Sequence, residues 1–232
     1  MTDADRIYAS GPDPPAGSFE FDAAVAAAFD DMIRRSVPGY ELILGMLPTF
    51  VRRYGGDGGL WDLGCSTGAV ARLMRTHAPE SNAIVAIDSS PAMIEAARKR
   101  PSDGIEYRVG DIADADVRDA SFVALNLTLQ FIPVSRRDSV IANLASGLRS
   151  GGGLLLTEKV QTDDATRRLH EAFKRAHGYS DSEIARKRTA IENRLIPEPL
   201  ETHLRRLHRV GFTETTVWWQ CLGFASIIAT RE

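Results

Sequence analysis

The chain has 232 residues, 44% of them hydrophobic, with 28 Lys and Arg against 31 Asp and Glu and only two cysteines. That length buries a sizeable core without metal or disulfide staples, as one α/β domain or at most two small ones. No run approaches the ~18 apolar residues of a membrane helix, there is no basic leader with an apolar core, and the histidines form no HExxH or CxxC partner pattern. The expectation is a cytoplasmic protein with no metal site and no membrane partner, its sparse cysteines (Cys65, Cys221) suited to a reducing compartment. The charge is uneven: residues 159–210 hold 12 basic and 8 acidic residues, leaving 16 and 23 elsewhere. A nucleic-acid face, a site for small anions and a solvated helical face are all compatible with that stretch.

Residues 1–18, with Pro12, Pro14, Pro15, Gly11 and Gly17, read as a flexible arm, and residues 19–232 as a single domain. Helices are expected near 20–34 and 39–53, separated at Ser36-Val37-Pro38-Gly39. After the GGDGG run at 55–59, short apolar runs alternate with amphipathic segments, giving strands at 60–64, 83–88, 105–109, 121–127 and 154–158. Ser90-Pro91 reads as an N-cap followed by proline at the first helical position; Ser135 with Asp138 resembles a capping box opening a helix with a Val140, Leu144, Leu148 stripe. This alternation implies a parallel sheet with helices on both faces. Helices follow at about 163–177, 181–193 (capping box Ser180, Glu183) and 198–210, closed by Gly211; strands at 214–221 and 224–230 make a terminal antiparallel hairpin.

Gly64 and Gly68 lie in the turn Gly64-Cys65-Ser66-Thr67-Gly68 between the first strand and its helix, where glycine permits a tight turn and close approach of a ligand. The spacing is not the full GxGxxG of a dinucleotide fingerprint. Asp88 ends the second strand, where a carboxylate can take both hydroxyls of a ribose; Asp111, followed by Ile112, ends the third, where a carboxylate can take an adenine amino group. For Asp62 and Asp88 the alternative is helix capping, and for Asp111 an Asx-turn.

This order of glycine turn and strand-end acids resembles the seven-stranded class I S-adenosyl-L-methionine (SAM) methyltransferases. The resemblance implies a Rossmann-like α/β fold with N-terminal helices, a helical insertion before the terminal hairpin, and SAM in the crevice. A narrower resemblance rests on DMIRRSVPGY (31–40), GCS (64–66), Asp88-Ser89-Ser90-Pro91-Ala92-Met93-Ile94-Glu95, NLTLQF (126–131), FKRAHGYS (173–180), ETH (201–203), RLH (206–208) and WQC (219–221). These segments are similar to the carboxy-S-adenosyl-L-methionine synthase family. That resemblance implies conversion of SAM and prephenate to carboxy-SAM and phenylpyruvate. A second enzyme, a tRNA carboxymethyltransferase, then uses carboxy-SAM at wobble uridine, so no direct nucleic-acid contact is implied.

Carried over by position, the resemblance places Tyr40, Gly64, Cys65, Ser66, Asp88, Ser89, Asp111, Ile112 and Asn126 around SAM or its carboxylated product. Arg206 is assigned to the added carboxylate, across a homodimer. Its helix carries an apolar stripe of Leu200, Leu204, Leu207 and Val210, and Arg206 lies roughly 105° from its centre, so it is expected to point off its own core. The alternative is an ordinary surface arginine. Arg35, Lys159 and Arg188 also fall in matching segments, where they suit either the carboxylates of prephenate or surface ion pairs. The segments 159–173 and 101–104 are shorter than the family pattern. The competing readings are a SAM-dependent methyltransferase for a small molecule or tRNA, and a SAM-binding module without catalysis.

Overall fold

The apolar runs become strands in the computed structural model, which describes residues 4–101 and 103–231. They are β1 (Gly59–Leu63), β2 (Ile84–Asp88), β3 (Ile105–Val109), β4 (Ala120–Asn126), β5 (Leu148–Lys159), β6 (Glu214–Cys221) and β7 (Phe224–Thr230), ordered β3-β2-β1-β4-β5-β7-β6 in one sheet. Strands β1 to β5 run parallel and β7 enters antiparallel between β5 and β6. The strand order reverses between β1 and β4, which opens a crevice at their carboxyl ends. This is the expected Rossmann-like seven-stranded α/β architecture.

Alternation along each strand divides the interior into two layers. Leu60, Ala86, Ala124 and Leu155 face one layer with α2 (Tyr40–Tyr54), α3 (Ala69–His77) and α4 (Pro91–Arg98). Leu63, Val85, Val123 and Leu156 face the other, with α5 (Val134–Gly147) and α8 (Leu200–Arg209). Helices α1 (Ala23–Ser36), α6 (Asp164–Ala176) and α7 (Asp181–Ile191) complete the chain. Among the described residues, no helix is long and apolar enough to cross a membrane.

Ser90 caps α4 with Pro91 in its first turn, and Ser180 with Glu183 forms the expected capping box of α7. The Ser135 box does not form. Proline holds φ where an N-cap requires it, so Pro133 takes that position, α5 starts at Val134, and Asp138 is free to pair with Arg206 and Arg209. Leu148 leaves the helix to begin β5.

The expected flexible arm has no helix or strand over residues 4–18, but it is seated. Asp5 is buried; its N–H donates to Asp31 Oδ2 (2.7 Å), and its carboxylate accepts the Tyr179 hydroxyl and lies 3.7 Å from Lys187 Nζ. Burying a carboxylate requires such partners, and Lys187 of α7 and Tyr179 just before that helix supply them.

Candidate functional site

Pairing registers put Asp62, Asp88, Asn126 and Lys159 on one face at the carboxyl ends of four adjacent strands: Asp62 pairs with Ala86 and Ala124, two residues before Asp88 and Asn126, and Asn126 pairs with Thr157, two before Lys159. The floor is the turn after β1. Gly64 and Gly68 both have φ of 78°, and a Cβ would collide with Thr128 at the first and with the Tyr107 hydroxyl at the second. Between them Ser66 is left-handed (φ 48°), which lets its N–H reach Asp88 Oδ2 at 2.8 Å. Gly64 and Cys65 N–H both donate to Ile87 O, at 2.8 and 3.0 Å.

Asp88 is buried. Its Oδ1 accepts Ser90 N–H (2.9 Å) and its Oδ2 accepts Ser66 N–H, leaving a second lone pair on each oxygen. Burial raises its pKa, against those two amides. Asp62 is the helix cap: its Oδ2 accepts Ala71 N–H (2.9 Å), and burial pushes the carboxyl up to about 7. Asp111 makes the Asx-turn, accepting Ala113 N–H (2.9 Å), and its other oxygen pairs with Arg136 (3.0 Å) at the surface, beside buried Ile112. Asn126 Oδ1 is buried without a hydrogen-bond partner among the described residues. Tyr40 is buried at the start of α2, its phenol raised by burial and by Asp30 and Asp62; Ser89 is exposed beside Asp88. Burial, with Asp62 and Asp88, keeps the Cys65 thiol protonated, so Cys65 is no nucleophile.

Helices α1, α6 and α7 roof the crevice. Asp30 ties α1 to the turn by accepting Thr67 Oγ1–H (2.8 Å) and pairing with Arg100 (2.7 Å). His170 of α6 bonds Ser36 O through Nε2 (2.8 Å), and Arg35 donates to His177 O (2.7 Å). The roof's arginine fork is therefore engaged: Arg35 also holds Asp31 and Asp5 O and lies 4.0 Å from the Tyr179 ring centroid.

Arg206 is not where the resemblance put it. It is 3% exposed, with Nε donating to Asp138 Oδ1 (2.6 Å) and Nη2 to Glu198 Oε1 (2.9 Å), inside its own subunit. Leaving the apolar stripe did not take it to solvent, because Glu198 and Asp138 close over it. In this structure Arg206 is therefore not free to reach a partner's site.

A family model described as a methyltransferase domain matches residues 61–152. The chain is 41% identical to the carboxy-S-adenosyl-L-methionine synthase of Pseudoalteromonas translucida over 100% of both chains, and 41% identical to that of Escherichia coli O1:K1 over 100% of this chain and 98% of the relative. The chain belongs to the carboxy-S-adenosyl-L-methionine synthase family. It is an enzyme of the transferase class with SAM as substrate. The fold likeness extends to human N-acetylserotonin methyltransferase in complex with SAM (TM-score 0.62, 15% identity, 90% of this chain); the chain spans only 55% of that longer protein.

The family's substrate fits the residues present. Two glycines whose Cβ positions are blocked leave a backbone-lined cradle, Asp88 keeps a lone pair on each oxygen for a ribose, and Asn126 holds an unanswered acceptor. Bound SAM supplies an activated sulfonium, so positioning carries much of the work left to the synthase. Sequence reasoning missed Lys174 and Glu158. Lys174 stands one helical turn beyond His170, and that i,i+4 spacing, with its place in the matching segment FKRAHGYS, was the signal it left. Glu158 lies on the opposite face from Lys159, its Oε1 accepting Leu129 N–H (2.9 Å).

Proposed function

We propose that this enzyme makes carboxy-SAM from SAM and prephenate, with phenylpyruvate as the other product. Loss of the ring carboxylate as carbon dioxide leaves an electron pair that aromatises the ring and expels hydroxide. Hydroxide takes a proton from the SAM methyl, forming water, and the resulting ylide attacks the carbon dioxide. Every atom is accounted for without a protein base of unusual strength, but the site must be dry and able to hold anions. The observation that carries this reading is the full-length match to synthases by a chain whose SAM cradle lies beneath a lysine-bearing roof.

The product is proposed to feed a tRNA carboxymethyltransferase acting on wobble uridine, in the cytoplasm, with the enzyme as a homodimer. With Arg206 locked inward, Arg188 is the better candidate for a partner-facing cation. Its side chain is 56% exposed, it pairs with Glu171, and its charge is felt at Lys159 and Lys174.

The test is incubation with SAM and prephenate, with small molecules read by mass spectrometry. Carboxy-SAM and phenylpyruvate are expected; their absence from folded, SAM-binding protein overturns the reading. S-adenosylhomocysteine formed with an added acceptor instead identifies a methyltransferase.

A further inference from the structure

Two ammonium groups, one at the end of β5 and one on the roof helix α6, are not answered by the fold itself. Of the chain's four lysines, Lys99 pairs with Glu95 on the surface (2.7 Å), and Lys187 is held by Asp5 (3.7 Å) and Ser36 Oγ (3.1 Å). Lys159 and Lys174 make no side-chain hydrogen bond or ion pair among the described residues, although both are half-buried. Partly desolvated cations without partners are costly, and a folded chain keeps them where an anion arrives later.

Their positions are linked through a short chain of contacts. Lys159 lies opposite Phe224 in the β5–β7 ladder; the Phe224 ring meets His170 edge-on at 5.2 Å; Lys174 follows His170 by one turn on the same face of α6. Lys159 shares the sheet face of Asp88 and Asn126, so the pair borders the SAM crevice. The surrounding electrostatics agree. Burial pulls the Lys174 ammonium down to about 7, reinforced by Lys159, Lys187 and Arg188, and Glu171 only partly offsets it. Burial and Arg188 lower Lys159 in the same way. The nearby His170 imidazole, pushed to about 3 chiefly by burial, stays neutral and does not compete for an anion. Glu171 is already engaged by Arg167 and Arg188.

We propose that Lys159 and Lys174 form the anion-binding pair that holds the carboxylates of the second substrate, a small dicarboxylic acid, beside the SAM methyl. The proposal rests on the carboxy-SAM reading for its choice of substrate. Two ammonium groups on separate elements, one on a strand end and one on a helix, set a spacing that a monocarboxylate fills only once. The site therefore favours dianions over monoanions.

The experiment separates this proposal from the function it rests on. Wild type, Lys159→Met, Lys174→Met and Lys174→Arg are titrated calorimetrically with prephenate and with malonate, each protein saturated with S-adenosylhomocysteine. Turnover by mass spectrometry and SAM affinity are measured alongside. Expected are a tenfold or greater weakening of dianion binding in each Met variant, partial rescue in Lys174→Arg, and SAM affinity within twofold of wild type. Where the wild type turns prephenate over, KM rises by the same factor. Lysine-dependent dianion binding without turnover supports the pair and refutes the choice of reaction. Equal dianion binding by wild type and Met variants overturns the pair whatever the turnover, as does failure of the wild type to bind either acid.

Discussion

Arg206→Ala is the substitution on which the resemblance and the structure disagree most sharply. A cross-subunit carboxylate ligand would leave stability untouched and weaken product retention. In the structure Arg206 instead shares Glu198 with Arg137: Glu198 Oε1 accepts Arg206 at 2.9 Å and Oε2 accepts Arg137 at 2.7 Å. Arg137 is fully buried and donates also to Ile132 O, Gln130 O and Ile196 O, so the triad clamps the 196–198 segment against the 130–132 turn that follows β4. The Asp138 contact is 58% exposed on the acid side and contributes little, about 0.5 kcal/mol. The Glu198 contact is screened far less and, as a charge-assisted bond, is worth about 1.5–3 kcal/mol; Arg137 limits the loss by keeping Glu198 paired. The expected destabilisation is about 2–3 kcal/mol in urea titration, or roughly 4–12 °C in Tm for a chain of this size. SAM affinity measured well below the melting range stays within twofold. Unchanged stability with selective loss of carboxy-SAM retention would refute the assignment.

Gly64→Ala forces a side chain into a left-handed position against Thr128, costing at least ~1–2 kcal/mol before the collision is counted. SAM affinity by calorimetry falls tenfold or more, and adding Thr128→Ala relieves only part of the loss. Asp88→Asn exchanges acceptors for an amide donor facing backbone N–H groups. SAM binding weakens by over tenfold, since a hydrogen bond to a charged group is worth about 1.5–3 kcal/mol. Burial pushes the Glu158 carboxyl up to about 8 from an ordinary 4.5, so the folded state binds the extra proton. Stability present below pH ~4.5 is lost as pH rises toward 8, with a slope up to about 1.4 kcal/mol per unit, and Glu158→Gln flattens that slope in urea titrations across the range. His203 works with opposite sign: burial and Arg206 hold it near 4, so its contribution is lost as pH falls from 6.5 toward 4, and His203→Gln flattens the acid side.

The sheet and its crevice were legible because they depend on local patterns: apolar runs, glycine at forced left-handed turns, and caps such as Ser90-Pro91 and Ser180 with Glu183. What escaped depends on partners distant in sequence. Helical geometry correctly turned Arg206 off the Leu200, Leu204, Leu207 stripe, but no periodicity reveals that Asp138, on another helix, closes the space it turns into. The Ser135 box had the right residue types, and Pro133 displaced it by fixing the helix start two residues earlier. Lys159 and Lys174 were visible as charge but not as a pair, because it is Phe224 of the last strand, distant in sequence, that packs between the end of β5 and His170 of α6.

Asp5 gives the N-terminal residues a chemical meaning. Its carboxylate is the counter-ion of Lys187 and the acceptor for Tyr179, and Arg35 grips its carbonyl at 3.1 Å. Cutting the chain after this segment therefore does more than shorten a tail. It strips Lys187 of its carboxylate and leaves it Ser36 Oγ alone, so a truncated enzyme is expected to bind stray anions such as phosphate or chloride more tightly, as calorimetry would read.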